Sequence, residues 1–261
     1  MASLWFLIAI VFTPLKIGLL STILLIRIII KLGIFPFHGW FFSVIGVSSW
    51  IFFFIFSSIQ KIIPLVVLRN ILINLKLFYV MVSLSLFFIF SIDISYLSSR
   101  LILTLSSINN VSWILISLIC SKIFWGVFIT IYMFILFPII KYLSRLNLNF
   151  SNMLFPQNTP MGDKLIVSLM VISLGGLPPL LGFFNKFMII KLFLFKIRVL
   201  VIMLIIFSSL FLLYYYISLV FSSLSFYPGP HTAQKRLDLR VMKLMFLISF
   251  IPILIITFIN Y

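Results

Sequence analysis

The chain has 261 residues, of which 64% are hydrophobic, 18% aromatic and only 8% charged. Its mean hydropathy of +1.36 leaves far more apolar surface than a soluble core can hide, so lipid must act as its solvent and a soluble enzyme is excluded. The net charge of +16 comes from 19 Lys and Arg against Asp93, Asp163 and Asp238, with no glutamate; spread over the ends of apolar runs, it points to membrane topology and not to a nucleic-acid partner.

At about 20 residues per span, the apolar runs accommodate about eight or nine transmembrane helices. Period-2 alternation is lacking, which argues against a transmembrane barrel and for an all-α polytopic membrane protein. Leu4 to Phe12 has the length of a signal-peptide core but lacks a basic region before it and a small-residue cleavage site after it, so a short or partial helix is expected. Pro14 and Lys16 mark a turn. A helix from about Ile17 reaches Lys31, is interrupted by Gly33 and Pro36, and resumes from Trp40 to about Ser49. Trp50 to Leu68 forms the next span, with Lys61 and Pro64 inside it, followed by a polar loop from Arg69 to Lys76. Further spans are expected at Leu77 to Ile94, Leu101 to Cys120 and Ile123 to Ile140.

A connection over 143–164 separates a first half, 1–142, from a second, 165–261, within a single membrane domain. The second half opens with an apolar run from Leu165 to Phe195, broken at Gly175, Gly176, Pro178 and Pro179 and eased at Gly182, with Lys186 just beyond. The first lysine precedes its proline and the second follows its prolines, the reversal expected of inverted repeats with two discontinuous helices. Spans at Val199 to Phe221 and Val241 to Ile259 flank a basic loop carrying Tyr227 to His231. Loop charges divide almost evenly between the two sides, so orientation is left open.

Arg69, Lys76, Arg100, Lys141, Arg145, Lys196, Arg198, Lys235, Arg236 and Arg240 are read as interfacial anchors, as are Lys122 and Lys191 nearer the run ends. Lys31, Lys61 and Lys186 are different. An amine at bilayer depth costs about 2.5 to 3.5 kcal/mol even on a lenient insertion scale, and it ordinarily faces a wet cavity or a proton pathway. Desolvation disfavours the charged form of any amine, which is what lets a buried one release a proton near neutral pH. Carbonyls freed by the first break are expected to meet the Lys31 ammonium, and Arg27 one turn earlier either repels it or simply snorkels. His38, just past that break, suits a relay because a neutral imidazole both donates and accepts. Ser106, Ser107, Asn109, Asn110 and Ser112 lie in one span, enough polar groups to hydrogen-bond a file of water or to fasten helices together. Asp93 is a weak candidate for pairing, Cys120 is a lone core thiol that forms neither disulfide nor metal site, and the Trp residues and Tyr214 to Tyr216 read as packing or interface aromatics.

Lys31-Leu32-Gly33 with Pro36-Phe37-His38 and Trp40, Gln60-Lys61 with Pro64, and Ser173 to Leu180 with Gly182, Phe183 and Lys186 together resemble the subunit 2 family of respiratory complex I in a shortened form. The resemblance implies an antiporter-like membrane-arm subunit of NADH:ubiquinone oxidoreductase in the mitochondrial inner membrane, partnered by lipid and by other membrane-arm subunits. It implies proton translocation through Lys31, Lys61 and Lys186 with no cofactor in this chain, while NADH, FMN, iron–sulfur clusters and ubiquinone belong to the parent complex. Three departures are visible. The family's glutamate partner for the lysine matched by Lys31, and about two preceding helices, have no counterpart, so that either a separate polypeptide supplies them or the pair is lost. Asn110 stands where the family has a histidine, and Ser218 where an arginine is usual. An Mrp-type cation/proton antiporter component and a non-conducting scaffold are the alternative readings.

Overall fold

A computed structural model describes residues 18–34, 36–70, 80, 82–87, 89, 98–120, 124–145, 161–178, 180–194 and 199–224. Expectations for the first segment up to Lys16, for Lys76, Asp93, Lys122, Pro179, Lys196 and Arg198, for much of the Leu77 to Ile94 span, and for everything from 225 onward, including the Val241 to Ile259 span, lie outside these residues, as does the Cys120 side chain. All elements among the described residues are helical: α1 (Gly18–Leu32), α2 (Gly39–Val47), α3 (Trp50–Phe54), a π-helical turn (Ile55–Ile59), α4 (Gln60–Asn70), α5 (Ser99–Cys120), α6 (Phe124–Arg145), α7 (Met161–Gly175), α8 (Leu181–Leu194) and α9 (Val199–Leu224). Residues 82–87 are helical too.

Among the described residues, four helical stretches are long and apolar enough to cross a membrane: Trp50–Arg69, Ser99–Ile119, Phe124–Arg145 and Val201–Phe221. The runs through Gly33 and through Gly176 are broken helices. At 1.5 Å per residue, the 15 residues of α1 or of α7 reach only about 22 Å, short of a hydrocarbon layer of about 30 Å, so each needs its continuation beyond the break to cross. Both breaks turn on a glycine with positive φ, Gly33 at 70° and Gly176 at 91°, a region that other residues enter only at a cost. Polar side chains within spans satisfy themselves locally. Ser106, Ser107, Ser112 and Ser117 each donate to a carbonyl three or four residues back in α5, because hydrocarbon offers no water to bond with.

Helix α5 is the axis of the bundle. It packs against α2, α6, α8 and α9, so both broken helices lean on it, while α1 packs on α4 and α7 on α6 and α9. Its span is 89% buried, against 33% for that of α9. Large apolar side chains on the outer faces, among them Val47, Ile51, Phe87, Phe207 and Phe221, remain exposed, as expected where acyl chains are the solvent.

The long helices run past their expected ends. Helix α6 continues to Arg145 and α7 begins at Met161, so both enter the connection read as 143–164. Arg69 and Arg145 do lie exposed at helix ends, as anchors should. Arg100 does not. It is buried, 3% exposed, donating from Nη1 to the carbonyls of Ser48 at 2.6 Å and Gly46 at 3.2 Å with its guanidinium 4.5 Å from the Trp50 ring. Its fork fastens the start of α5 to the α2–α3 turn, a packing role that position at a run end could not reveal. Replacing Arg100 with alanine is expected to cost about 2 kcal/mol, the worth of charge-assisted hydrogen bonds to carbonyls, and to lower the melting temperature of the purified assembly. An unchanged melting curve would show that the turn holds without it.

Candidate functional site

Two lysines are carried to the middle of the bundle. Lys61, the second residue of α4, follows the π-helical turn, in which the Gln60 N–H reaches back five residues to the Ile55 carbonyl. Such a turn inserts an extra residue into the helix and is frequent at functional positions. Ser57, Ser58 and Lys61 are all buried, Lys61 to 4% exposure. Its Nζ donates to the Ser107 carbonyl of α5 at 3.2 Å and stands 5.0 Å from the centre of the Phe41 ring, an aromatic face that attracts a cation. Phe41 is held in turn by the first break, since a Cβ on Gly33 would come within 3.2 Å of it.

Lys186 lies on α8, 8% exposed, and folds back across the second break. Its Nζ donates to the Gly175 carbonyl at 2.7 Å and the Leu174 carbonyl at 3.4 Å. These are last-turn carbonyls of α7, which the end of the helix leaves without helical N–H partners, and the negative end of a helix dipole suits an ammonium. A Cβ on Gly176 would sit 3.1 Å from Lys186 Cδ, so glycine supplies room as well as the turn. The ammonium also stands 5.8 Å from the Trp113 ring centre.

Lys186 thus sits in a cradle of carbonyls freed by the second break. At the first break Ile30 accepts from Gly33 N–H at 3.1 Å and from Trp40 Nε1 at 2.9 Å, and Ile29 accepts from Ile34 N–H at 3.3 Å. Lys31 is half-buried in the last turn of α1. His38 caps α2 half-buried, with its ring edge-on to Phe42 at 5.7 Å. Pro36 and Pro178 are exposed on the two breaks.

Between Lys61 and Lys186 runs one stripe of α5. Ser106, Asn110 and Trp113, spaced i, i+4, i+7, share a face, and Ser107 adjoins Asn110 one turn away. From Ser107 to Trp113 the helix climbs about 9 Å. Two further polar groups close over this stripe. The hydroxyl of Tyr132, from α6, faces Ser57, Asn110 and Tyr216, and the hydroxyl of Tyr216, from α9, faces Ser106. None of these approaches closes to full hydrogen-bond geometry, and the Trp113 Nε1 is likewise buried without a protein partner. A buried polar group left unpaired costs about 1 to 3 kcal/mol, so three around one stripe mark a place suited to ordered water. Tyr216 reaches the second break as well: its ring lies 3.2 Å from where a Gly175 Cβ would be.

Of the side chains picked out in the sequence, the structure gathers Lys61, Ser106, Ser107, Asn110, Gly175, Gly176 and Lys186 around α5 and leaves Lys31 and His38 at its margin. Ser107 meets Lys61 through its backbone carbonyl, while its hydroxyl donates to Thr104. Sequence reasoning missed Phe41, Ser57 and Tyr132 and treated Trp113 and Tyr216 as ordinary aromatics. Only the stripe from Ser106 to Trp113 could have pointed to any of them. Asn109 faces elsewhere and accepts from Ser208 of α9 at 3.0 Å, a fastening contact.

The sequence model of the family described as NADH:quinone oxidoreductase/Mrp antiporter, TM, matches residues 6–212, taking in both breaks and all three lysines. The chain belongs to that family. NADH-ubiquinone oxidoreductase chain 2 of Anopheles gambiae is 31% identical over 211 residues, covering 79% of this chain and 59% of the mosquito protein. Its counterpart in Artemia franciscana is 31% identical over 199 residues, covering 76% of this chain and 65% of that one. The chain thus spans about three-fifths of the length of such relatives. Among solved structures, a chain of respiratory complex I from Thermus thermophilus superposes with a TM-score of 0.72 at 18% identity, over 90% of this chain and 57% of that one. A chain of the Mrp complex of a Dietzia species gives 0.69 at 15% identity, over 84% and 44%. The all-α antiporter-type membrane fold of the family is that of this chain.

Proposed function

We propose that the chain is the chain 2 type subunit of a mitochondrial NADH:ubiquinone oxidoreductase and carries protons through the membrane arm. One observation carries this reading: two amines, buried among apolar helices, are placed on one polar stripe of a central helix, where carbonyls and aromatic rings hold them. Among the described residues neither amine meets a carboxylate that would trap the proton. In this reading Lys61 and Lys186 load and release protons along α5, Lys31 and His38 form the outer end at the first break, and Ser106, Ser107 and Asn110 line the path. Glycines 33, 175, 176 and 182 with Pro36, Pro178 and Pro179 serve to break the helices. The halves 1–142 and 165–261 act as the two arms of an inverted repeat about this path. No redox step occurs here; electrons pass elsewhere in the enzyme, and the chain sits as a multi-pass protein in the inner membrane among other membrane-arm subunits.

The superposition on the Mrp complex chain keeps a cation/proton antiporter as the second reading. Copurification with quinone-reducing activity separates the two. The path itself is tested by Lys61→Met in the assembled complex. Proton pumping and coupled quinone reduction should fall by about tenfold or more, the lower end of what a positioned proton carrier supplies, and wild-type pumping would favour a non-conducting scaffold.

A further inference from the structure

The lysines are separated by a stretch that neither of them spans, and Asn110 at its centre cannot take up a proton. We infer that the hydroxyls of Tyr132 and Tyr216, framed by Ser57, Ser106 and Asn110, are the proton-passing link between Lys61 and Lys186. This rests on the lysine path proposed above and names the groups that complete it.

The two tyrosines come from α6 and α9, on different sides of α5, and are exposed to only 5% and 1%. The Tyr132 hydroxyl lies beside Ser57 and Asn110 and close enough to sense Tyr216, and the Tyr216 hydroxyl lies beside Ser106, so that buried side-chain oxygens of four helical segments come together here. The ends of the link meet the lysines. Tyr132 faces Ser57 of the π-helical turn that leads into Lys61, and Asn110, three residues from the Ser107 carbonyl that Lys61 holds. Tyr216 packs on Gly175, whose carbonyl accepts from Lys186. A phenol hydroxyl is both donor and acceptor. It takes a proton at Oη from one side, through a bridging water where no direct bond forms, and gives up its own proton on the other, so it is neutral before and after. A structural role explains these tyrosines less well, because packing alone is served by phenylalanine without the cost of two buried hydroxyls.

The test is made in the assembled complex in sealed membranes, with the proton-to-electron ratio and the amount of complex as readouts. Tyr132→Phe and Tyr216→Phe keep the rings and should each lower pumping by about threefold or more, a modest share of what a positioned proton carrier supplies. Tyr142→Phe serves as the control: it is a buried tyrosine on the same helix, about 15 Å along from Tyr132, and should pump normally. Asn110→His in the Tyr132→Phe background should recover pumping, since an imidazole both donates and accepts; a loss of packing would not be rescued this way. Should either phenylalanine variant fail to assemble, Asn110→Leu, which leaves both tyrosines and removes their polar neighbour, should itself lower pumping. Normal pumping in both phenylalanine variants, or in Asn110→Leu, beside a defective Lys61→Met overturns the link and spares the lysine path. Normal pumping in Lys61→Met overturns the path, and the link with it.

Discussion

Gly182→Ala should prevent stable accumulation of the subunit. A methyl group at position 182 would land on the Ser173 carbonyl oxygen of α7, and a backbone atom cannot swing aside as a side chain can. The first turn of α8 must then lift off α7, at a cost of about 3 kcal/mol or more, the range of severe overpacking. Because Lys186 is one turn further along α8, the same displacement pulls its ammonium from Gly175. Gly126→Ala makes the comparison fair: it lies in α6, and a Cβ there meets nothing within 4 Å, so alanine should be neutral or stabilising by up to about 1 kcal/mol through helix propensity. Immunodetection of assembled complex on native gels distinguishes them. Equal accumulation of the two variants would mean that α7 and α8 do not approach as closely as described.

Lys186→Met should do the reverse, leaving assembly intact and removing function. Methionine nearly matches the length and volume of the lysine stem while dispensing with an ammonium whose desolvation is costly. The exchange removes the desolvation cost of a buried ammonium, which offsets the donor that the carbonyls of Leu174 and Gly175 lose at the helix end. Normal complex levels are therefore expected, with proton pumping reduced about tenfold or more if the amine is the carrier. Lys186→Arg should fail too, since a guanidinium holds its proton at any physiological pH. If the arginine variant pumps as well as wild type, the amine acts as a fixed positive charge and not as a carrier.

Both breaks were legible before any coordinates, because Gly33 with Pro36 and the Gly175 to Pro179 cluster interrupt runs that otherwise have no reason to stop. The long spans were also legible from apolar length, to within a few residues. Overruns at Arg145 and Met161 were not, because helix ends at the membrane surface are polar and read as loop. Arg100 was misjudged for a related reason. A cation at the end of an apolar run normally meets headgroups, but here the α2–α3 turn folds over it and presents the carbonyls of Gly46 and Ser48.

Composition and linear pattern by themselves determined that this is an all-helical membrane protein with two broken helices, and singled out three amines as candidates, because the cost of polar groups in hydrocarbon acts on each residue wherever its neighbours fold. Which amines meet the α5 stripe was decided only by tertiary structure. Lys61, Tyr132, Lys186 and Tyr216 come from four helices, and nothing in their spacing along the chain says that they surround Ser106 and Asn110; packing of those helices around α5 does. The same packing brought the freed carbonyls of α7 to Lys186 and the Trp40 indole to the Ile30 carbonyl at the first break.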